Sequence, residues 1–219
     1  MTAARQPPDA LLLISQGCPH CPTVLAGLSE LIKQGVIGRL EVVNLSVNPG
    51  LGESMDVRSV PWLRLGPFEL EGLRSPAELR QWATRAGTAQ GMADYFRELL
   101  GDGQLDKVLS ILDRDTNQLG ALLLLLEDEE TELSVRVGIG AVMESFKGRE
   151  ALSQLIDPLA KLTHHRQAHV RGDAAHYLGL TRSPRAIPHV EPLMNDPENQ
   201  VREIAGESLE HLRRTQVSA

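Results

Sequence analysis

The sequence predicts two units of different class. Residues 1–88 read as an α/β unit with a central mixed sheet flanked by helices, and residues 89–219 as an all-α solenoid of helix pairs. Three observations carry this. In the first part, short apolar runs without polar alternation bracket a helical pattern, which is the signature of β-α-β. The second part repeats itself every 31–35 residues with helical periodicity throughout. Charge divides at the same place: residues 1–88 hold 8 Lys/Arg and 8 Asp/Glu, whereas residues 89–219 hold 14 and 21.

Asp9 to Ser15 is the first apolar run and fits a strand buried on both faces; Gln16-Gly17 breaks it. From Cys21, the residues Val24, Leu25, Leu28, Leu31 and Ile32 mark one helical face, which Gly35 and Gly38 close. Leu40 to Leu45 reads as a second strand, parallel to the first through a right-handed crossover. A loop with a short helix follows. Val60–Leu65 and Phe68–Glu71 are two short strands joined tightly by Gly66-Pro67, so they form an antiparallel hairpin. Ser75-Pro76-Ala77-Glu78 is a helix start, with Ser as N-cap, Pro at the first position and Glu at the third. Leu79, Trp82, Ala83 and Ala86 continue its apolar face.

The only two cysteines, Cys18 and Cys21, sit between the first strand and the first helix as Cys-Pro-His-Cys. Taken alone, the spacing allows a redox pair, half of a zinc site, or two inert core residues. No second C-x-x-C exists, and the histidines other than His20 lie in the second part of the chain.

The order β-α-β-α-β-β-α, with this motif at the first strand-to-helix turn, resembles the thioredoxin superfamily in its minimal, glutaredoxin-like form. Cys18-Pro19-His20-Cys21 and, about forty residues on, Val60-Pro61 carry the resemblance, which spans nearly all of residues 9–87. It implies a redox-active Cys18–Cys21 disulfide with no further cofactor and no metal. It also implies a cis Pro61 beside that disulfide, with Val60, Pro61 and Trp62 as the substrate groove. Physical chemistry points the same way. A sulfur at a helix N-terminus faces unpaired N–H groups and the positive end of the dipole, so Cys18 favours the thiolate. Pro19 suits the first turn, His20 adds positive charge or a donor, and Cys21, less accessible, is the resolving thiol. The Pro-His pair looks like that of the oxidant branch of the superfamily. The sequence "EGLRSP" departs from the acidic-tipped Gly-Gly turn with which glutaredoxins hold glutathione. The electron donor and the direction of transfer therefore stay open.

In the second part, Val170-Arg171 matches Val201-Arg202 at a shift of 31, with Ala174 on Ala205 and Leu178 on Leu209. Leu159 and Leu162 match Val190 and Leu193, and Val135-Arg136 begins a looser copy 35 residues ahead of Val170. The pattern D-x-x-x-x-V-R-x-x-A from Asp196 to Ala205 resembles HEAT repeats, about three of them over residues 117–215. Before them, residues 91–115 read as a helical hairpin hinged at Gly101-Asp102-Gly103. The repeated Arg is expected to pair with acids of the adjacent repeat. The run Glu127–Glu130 reads as a solvated loop, and His164, His165, His169 and His176 as a solvated cluster that binds no metal.

The net charge of −7 argues against a nucleic-acid partner, and no apolar stretch reaches membrane-spanning length. The opening "MTAARQPPDALLLISQG" carries no export pattern, so a cytoplasmic location is expected. The expected function is thiol–disulfide exchange on a protein client held by the helical repeat. The alternative is a scaffold whose solenoid binds a partner and whose cysteine pair is a redox sensor or a vestige.

Overall fold

The computed structural model describes residues 6–217, with side chains through Arg214. Met1–Arg5, which open the stretch read for an export signal, lie outside the described residues. The chain forms two compact units, Met1–Met92 and Ala93–Ala219.

The first unit is built on a four-stranded sheet of order β2-β1-β3-β4. β1 (Asp9–Ile14) pairs parallel with β2 (Arg39–Asn44) and antiparallel with β3 (Trp62–Leu65), and β3 pairs antiparallel with β4 (Phe68–Glu71). Register decides which residues share a face. Leu12 stands opposite Val42 and Leu63, and Leu63 opposite Leu70, so these side chains lie on one face with Ala10, Leu65 and Phe68. All but the edge-strand Val42 are buried. Two helices supply apolar cover: α1 (Cys21–Lys33) through Val24, Leu28 and Leu31, and α3 (Pro76–Arg85) through Leu79, Trp82 and Ala83. The Phe68 and Trp82 rings meet edge-on, 4.8 Å between centroids.

Turn chemistry sets the boundaries. Gly35, with φ +69°, follows the end of α1, and its N–H donates to the Ile32 carbonyl while Val36 N–H donates to that of Leu31. Ser75 and Glu78 form the full capping box of α3. The third strand starts at Trp62, two residues later than the sequence pattern suggested, because Pro61 has no N–H to give to a ladder. The loop before it holds a short helix, α2 (Pro49–Ser54).

α4 (Ala89–Gly101), whose start up to Met92 falls in the first unit, and α5 (Leu105–Arg114) make the expected hairpin, turning at Gly103 with φ +71°. Three helix pairs follow. The first is α6 (Ala121–Glu127) with α7 (Leu133–Ser145). After the one-turn α8 (Glu150–Ser153) comes α9 (Ile156–Leu162) with α10 (Ala168–Leu180). The last is α11 (Ile187–Val190), prolonged by a 3₁₀ turn, with α12 (Asn199–Val217). Every apolar residue that defines the repeat is buried: Val135, Val170 and Val201, Ala174 and Ala205, Leu178 and Leu209. α10 packs on α7 at one side and on α12 at the other, so equivalent side chains meet equivalent neighbours along the stack.

Arg136 and Arg171 pair with acids of the next repeat as the pattern implied, whereas Arg202 binds backbone carbonyls and Asn199. Arg136 donates to Asp173 of the next pair at 2.7 Å. Arg171 grips Asp196 of the next pair with two bonds, at 2.7 and 2.8 Å. It also donates to the carbonyls of His165 and Arg166 in its own inter-helix turn. Arg202, 31 residues on, repeats this with the carbonyls of Asp196 and Pro197. The acidic loop differs from the expectation of simple solvation. Asp128 is half-buried and accepts from Arg97 at 2.5 Å, and Glu129 pairs with Arg166. The Arg97 guanidinium holds the Asp128 carboxyl below the usual aspartate value.

Gly179 sets the approach of α10 to α12. A Cβ there would stand 2.8 Å from Ser208 Cβ and 3.1 Å from its Cα, and backbone cannot yield as a side-chain tip does. At Gly206 a Cβ would meet only Met194 Cε and Sδ, at 3.8 and 3.9 Å. Alanine gains about 1 kcal/mol over glycine in a helix interior, whereas overpacking costs about 1–3 kcal/mol. Gly179→Ala is therefore expected to lower the unfolding midpoint, and Gly206→Ala to raise it. Thermal melts of the two variants check the pair; equal shifts would contradict the close approach.

Candidate functional site

The turn from β1 into α1 places the cysteines. Gly17 takes φ +81°, a backbone region that L side chains rarely adopt, and so reverses the chain at the end of β1. Gln16 N–H donates to Ser46 Oγ at 2.9 Å and Leu45 N–H to the Ile14 carbonyl at 2.8 Å, tying this turn to the end of β2. Cys18 N–H in turn donates to the Ser15 carbonyl at 3.3 Å. Helix α1 then begins at Cys21, with His20 as N-cap.

Cys18 and Cys21 stand at disulfide-bonding distance, with Cα atoms 5.5 Å apart. Their surroundings differ. Cys21, the first residue of α1, is 4% exposed, whereas Cys18 is only half-buried. The Cys21 backbone N–H donates to Cys18 Sγ at 3.1 Å. The Val60 carbonyl oxygen lies 3.7 Å from the same sulfur. The Val60–Pro61 peptide bond is cis, and Pro61 is buried.

The residues singled out in the sequence come together unevenly. Cys18, Cys21 and Val60 meet within contact distance. Pro19 and His20 are both exposed at the start of the helix, and the His20 side chain caps no N–H. Pro22, not Pro19, occupies the first helical turn, because the Pro19-His20 bend precedes the helix. Trp62 is 3% exposed, so its indole belongs to the core and not to an open groove wall. His164 and His165 fall between α9 and α10, where His165 Nδ1 accepts the Gln167 N–H. His176 Nε2 lies 3.2 Å from Glu144. Among the described residues no three His, Cys, Asp or Glu side chains group so as to hold a metal ion. None of the described helices is long and apolar enough to cross a membrane.

Chemically, the site pairs one accessible sulfur with one buried sulfur. In the reduced state an N–H aimed at Cys18 Sγ and the adjoining helix N-terminus stabilise negative charge on that sulfur. Cys21 is buried, and burial disfavours the thiolate.

Compared with known proteins, the chain is similar to the HEAT repeat family over residues 119–210, from α6 into α12. No curated protein matches it.

Proposed function

We propose that the protein is a thiol–disulfide oxidoreductase of the thioredoxin fold, whose HEAT-like unit holds a protein client. The observation that carries this reading is the asymmetry at the cysteine pair. Cys18 is accessible and accepts the Cys21 N–H at 3.1 Å, while Cys21 is buried one turn away at disulfide distance. Strand order and the Val60 carbonyl beside the sulfur support the same reading.

In the reducing direction the Cys18 thiolate attacks one sulfur of a client disulfide. The client S–S bond breaks, its other sulfur leaves as a thiolate and takes a proton, and Cys18 is left in a mixed disulfide. The Cys21 thiolate, its proton lost to solvent, then attacks Cys18 Sγ. This closes Cys18–Cys21 and releases the second client sulfur. The client has gained two electrons and the protein has lost two, and an external dithiol or two glutathione molecules restore them. Run backwards, the same steps oxidise a client. An extended client segment lies along the Val60 backbone, while the tethered helical unit raises the client's local concentration at the thiol. A cytoplasmic setting keeps the pair reduced between turnovers.

The HEAT match favours a second reading, a scaffold whose cysteine pair senses oxidation and alters partner binding. One measurement separates them. The pair is equilibrated with glutathione buffers of graded ratio, trapped with an alkylating reagent, and read by mass. A reversible two-electron transition together with catalytic turnover of a disulfide substrate is expected. A transition without turnover favours the sensor, and no disulfide anywhere in the range ends the enzyme reading.

A further inference from the structure

Helix α7 carries two apolar stripes. Val135, Ile139, Val142 and Met143 are buried. Leu133, Val137 and Ala141, at i, i+4 and i+8, form the second stripe, and here Leu133 is 77% and Val137 66% exposed. This stripe is one wall of a groove of about 610 Å³; Leu100, Gly103 and Leu105, from the end of α4 and the start of α5, form the other. Gly138 sets its shape. A Cβ there would lie 2.9 Å from Leu100 Cδ2, so the missing side chain lets α7 close on Leu100 while Leu133 and Val137 remain outside.

Three acids adjoin the lining residues along the chain. Asp102 sits between Gly101 and Gly103, Asp106 follows Leu105, and Glu132 precedes Leu133. All three are exposed, and none has an ion-pair partner among the described residues. Arg136, the basic residue of α7, is committed to Asp173. The surrounding unit carries 14 basic and 21 acidic residues. An apolar floor flanked by these acids repels acidic segments and gains from a cationic, amphipathic one. The stripe from Leu133 to Ala141 is roughly 12 Å long, about two turns of a docked helix with apolar anchors at i, i+4 and i+7.

We propose that the groove between α7 and the α4–α5 hairpin binds a short amphipathic helix of a partner protein, with Leu, Ile or Phe on one face and Lys or Arg flanking it. This rests on the reading that the helical unit holds a protein client, and it names the seat and the chemistry of the segment held.

The test is fluorescence anisotropy with the full chain. The probe is a labelled peptide of about 14 residues of Leu, Ala and Lys, with Leu at helical spacing. A control peptide carries Glu in place of Lys. The Lys peptide is expected to bind, and the Glu peptide to bind at least about tenfold more weakly. Val137→Asp is expected to weaken the Lys peptide about tenfold with no change in the thermal midpoint, since the side chain is exposed. Asp102→Lys with Glu132→Lys should weaken it as well, whereas Glu203→Lys with Glu207→Lys on α12 should not. Equal affinity for both peptides, no binding, or indifference to Val137→Asp would overturn the proposal. Binding that survives Val137→Asp but fails in the α12 variant would overturn the groove and leave partner binding by the helical unit standing. Self-association that Val137→Asp abolishes, seen by light scattering, would put a second copy in the groove and overturn it too. The peptide has no sulfur, so failure of thiol chemistry at Cys18 leaves this readout intact.

Discussion

Cys18→Ser is expected to reduce disulfide exchange to background, a loss on the order of 10³-fold or more, as for removal of a nucleophile. Cys21→Ser is expected to behave differently. The accessible sulfur can still attack, but nothing resolves the adduct, so one equivalent of mixed disulfide accumulates and an added dithiol releases it. Alkylation of the reduced protein reads the same asymmetry. Cys18 should react faster than Cys21 throughout, with a rate profile bending below the ordinary thiol value of about 8.5. The cause is local: the Cys21 N–H is 3.1 Å from Cys18 Sγ and stabilises its anion. Equal alkylation rates, or full exchange activity in Cys18→Ser, would refute the assigned roles.

How far this site was legible in the sequence follows from which physics has a local signature. The strand before Cys18 and the helix after Cys21 announce themselves through period and turn residues, because burial on a sheet or a helix face repeats along the chain. The sequence pattern does not specify the start of the helix. Pro19 and Pro22 both suit a first turn, and only the bend at Pro19-His20 settles that Pro22 is inside. Trp62 is similar: its place beside Pro61 suggested a groove, while its burial depends on what covers the sheet face, which no window of sequence contains.

The second unit makes the same point through α7. An i, i+4 apolar pattern says that a stripe exists, and Leu133-Val137-Ala141 reads like Val135-Ile139-Met143. Which stripe finds a neighbour is decided by helices elsewhere in the chain, so the open groove was invisible beforehand. The acids of the α6–α7 loop were hidden for a related reason. Asp128 meets Arg97, 31 positions away, and nothing near Asp128 in sequence points to that partner. The repeated arginines, by contrast, were legible because repetition supplies the context: an Arg recurring with the core of each repeat has the same surroundings each time.

Asp196→Ala is expected to destabilise the helical unit by about 3 kcal/mol, the cost of leaving one member of a buried pair alone. That lowers the thermal midpoint by roughly 10 °C. The side chains of Arg171 and Asp196 are 12% and 4% exposed, so solvent does little to replace the lost partner. Arg171→Ala should cost at least as much, because it also frees the carbonyls of His165 and Arg166. Arg171→Lys keeps the charge but loses the planar fork that makes two bonds at once, and should fall between. The pair also fixes a pH dependence. Two bonds from Arg171, helped by the Glu198 N–H, hold the Asp196 carboxyl below its ordinary value of 3.8 against the opposing effect of burial. A carboxyl depressed in the folded state contributes stability that is fully present above the unfolded value. That contribution is lost as pH falls from there through the folded value, because the unfolded chain binds the proton first. Acid melts below about pH 4 should therefore be steeper for the native chain than for Asp196→Ala, with the two curves converging as the carboxylate protonates. Parallel curves would mean that the bidentate contact contributes nothing to stability. The stack would then hold through its Val, Ala and Leu contacts alone.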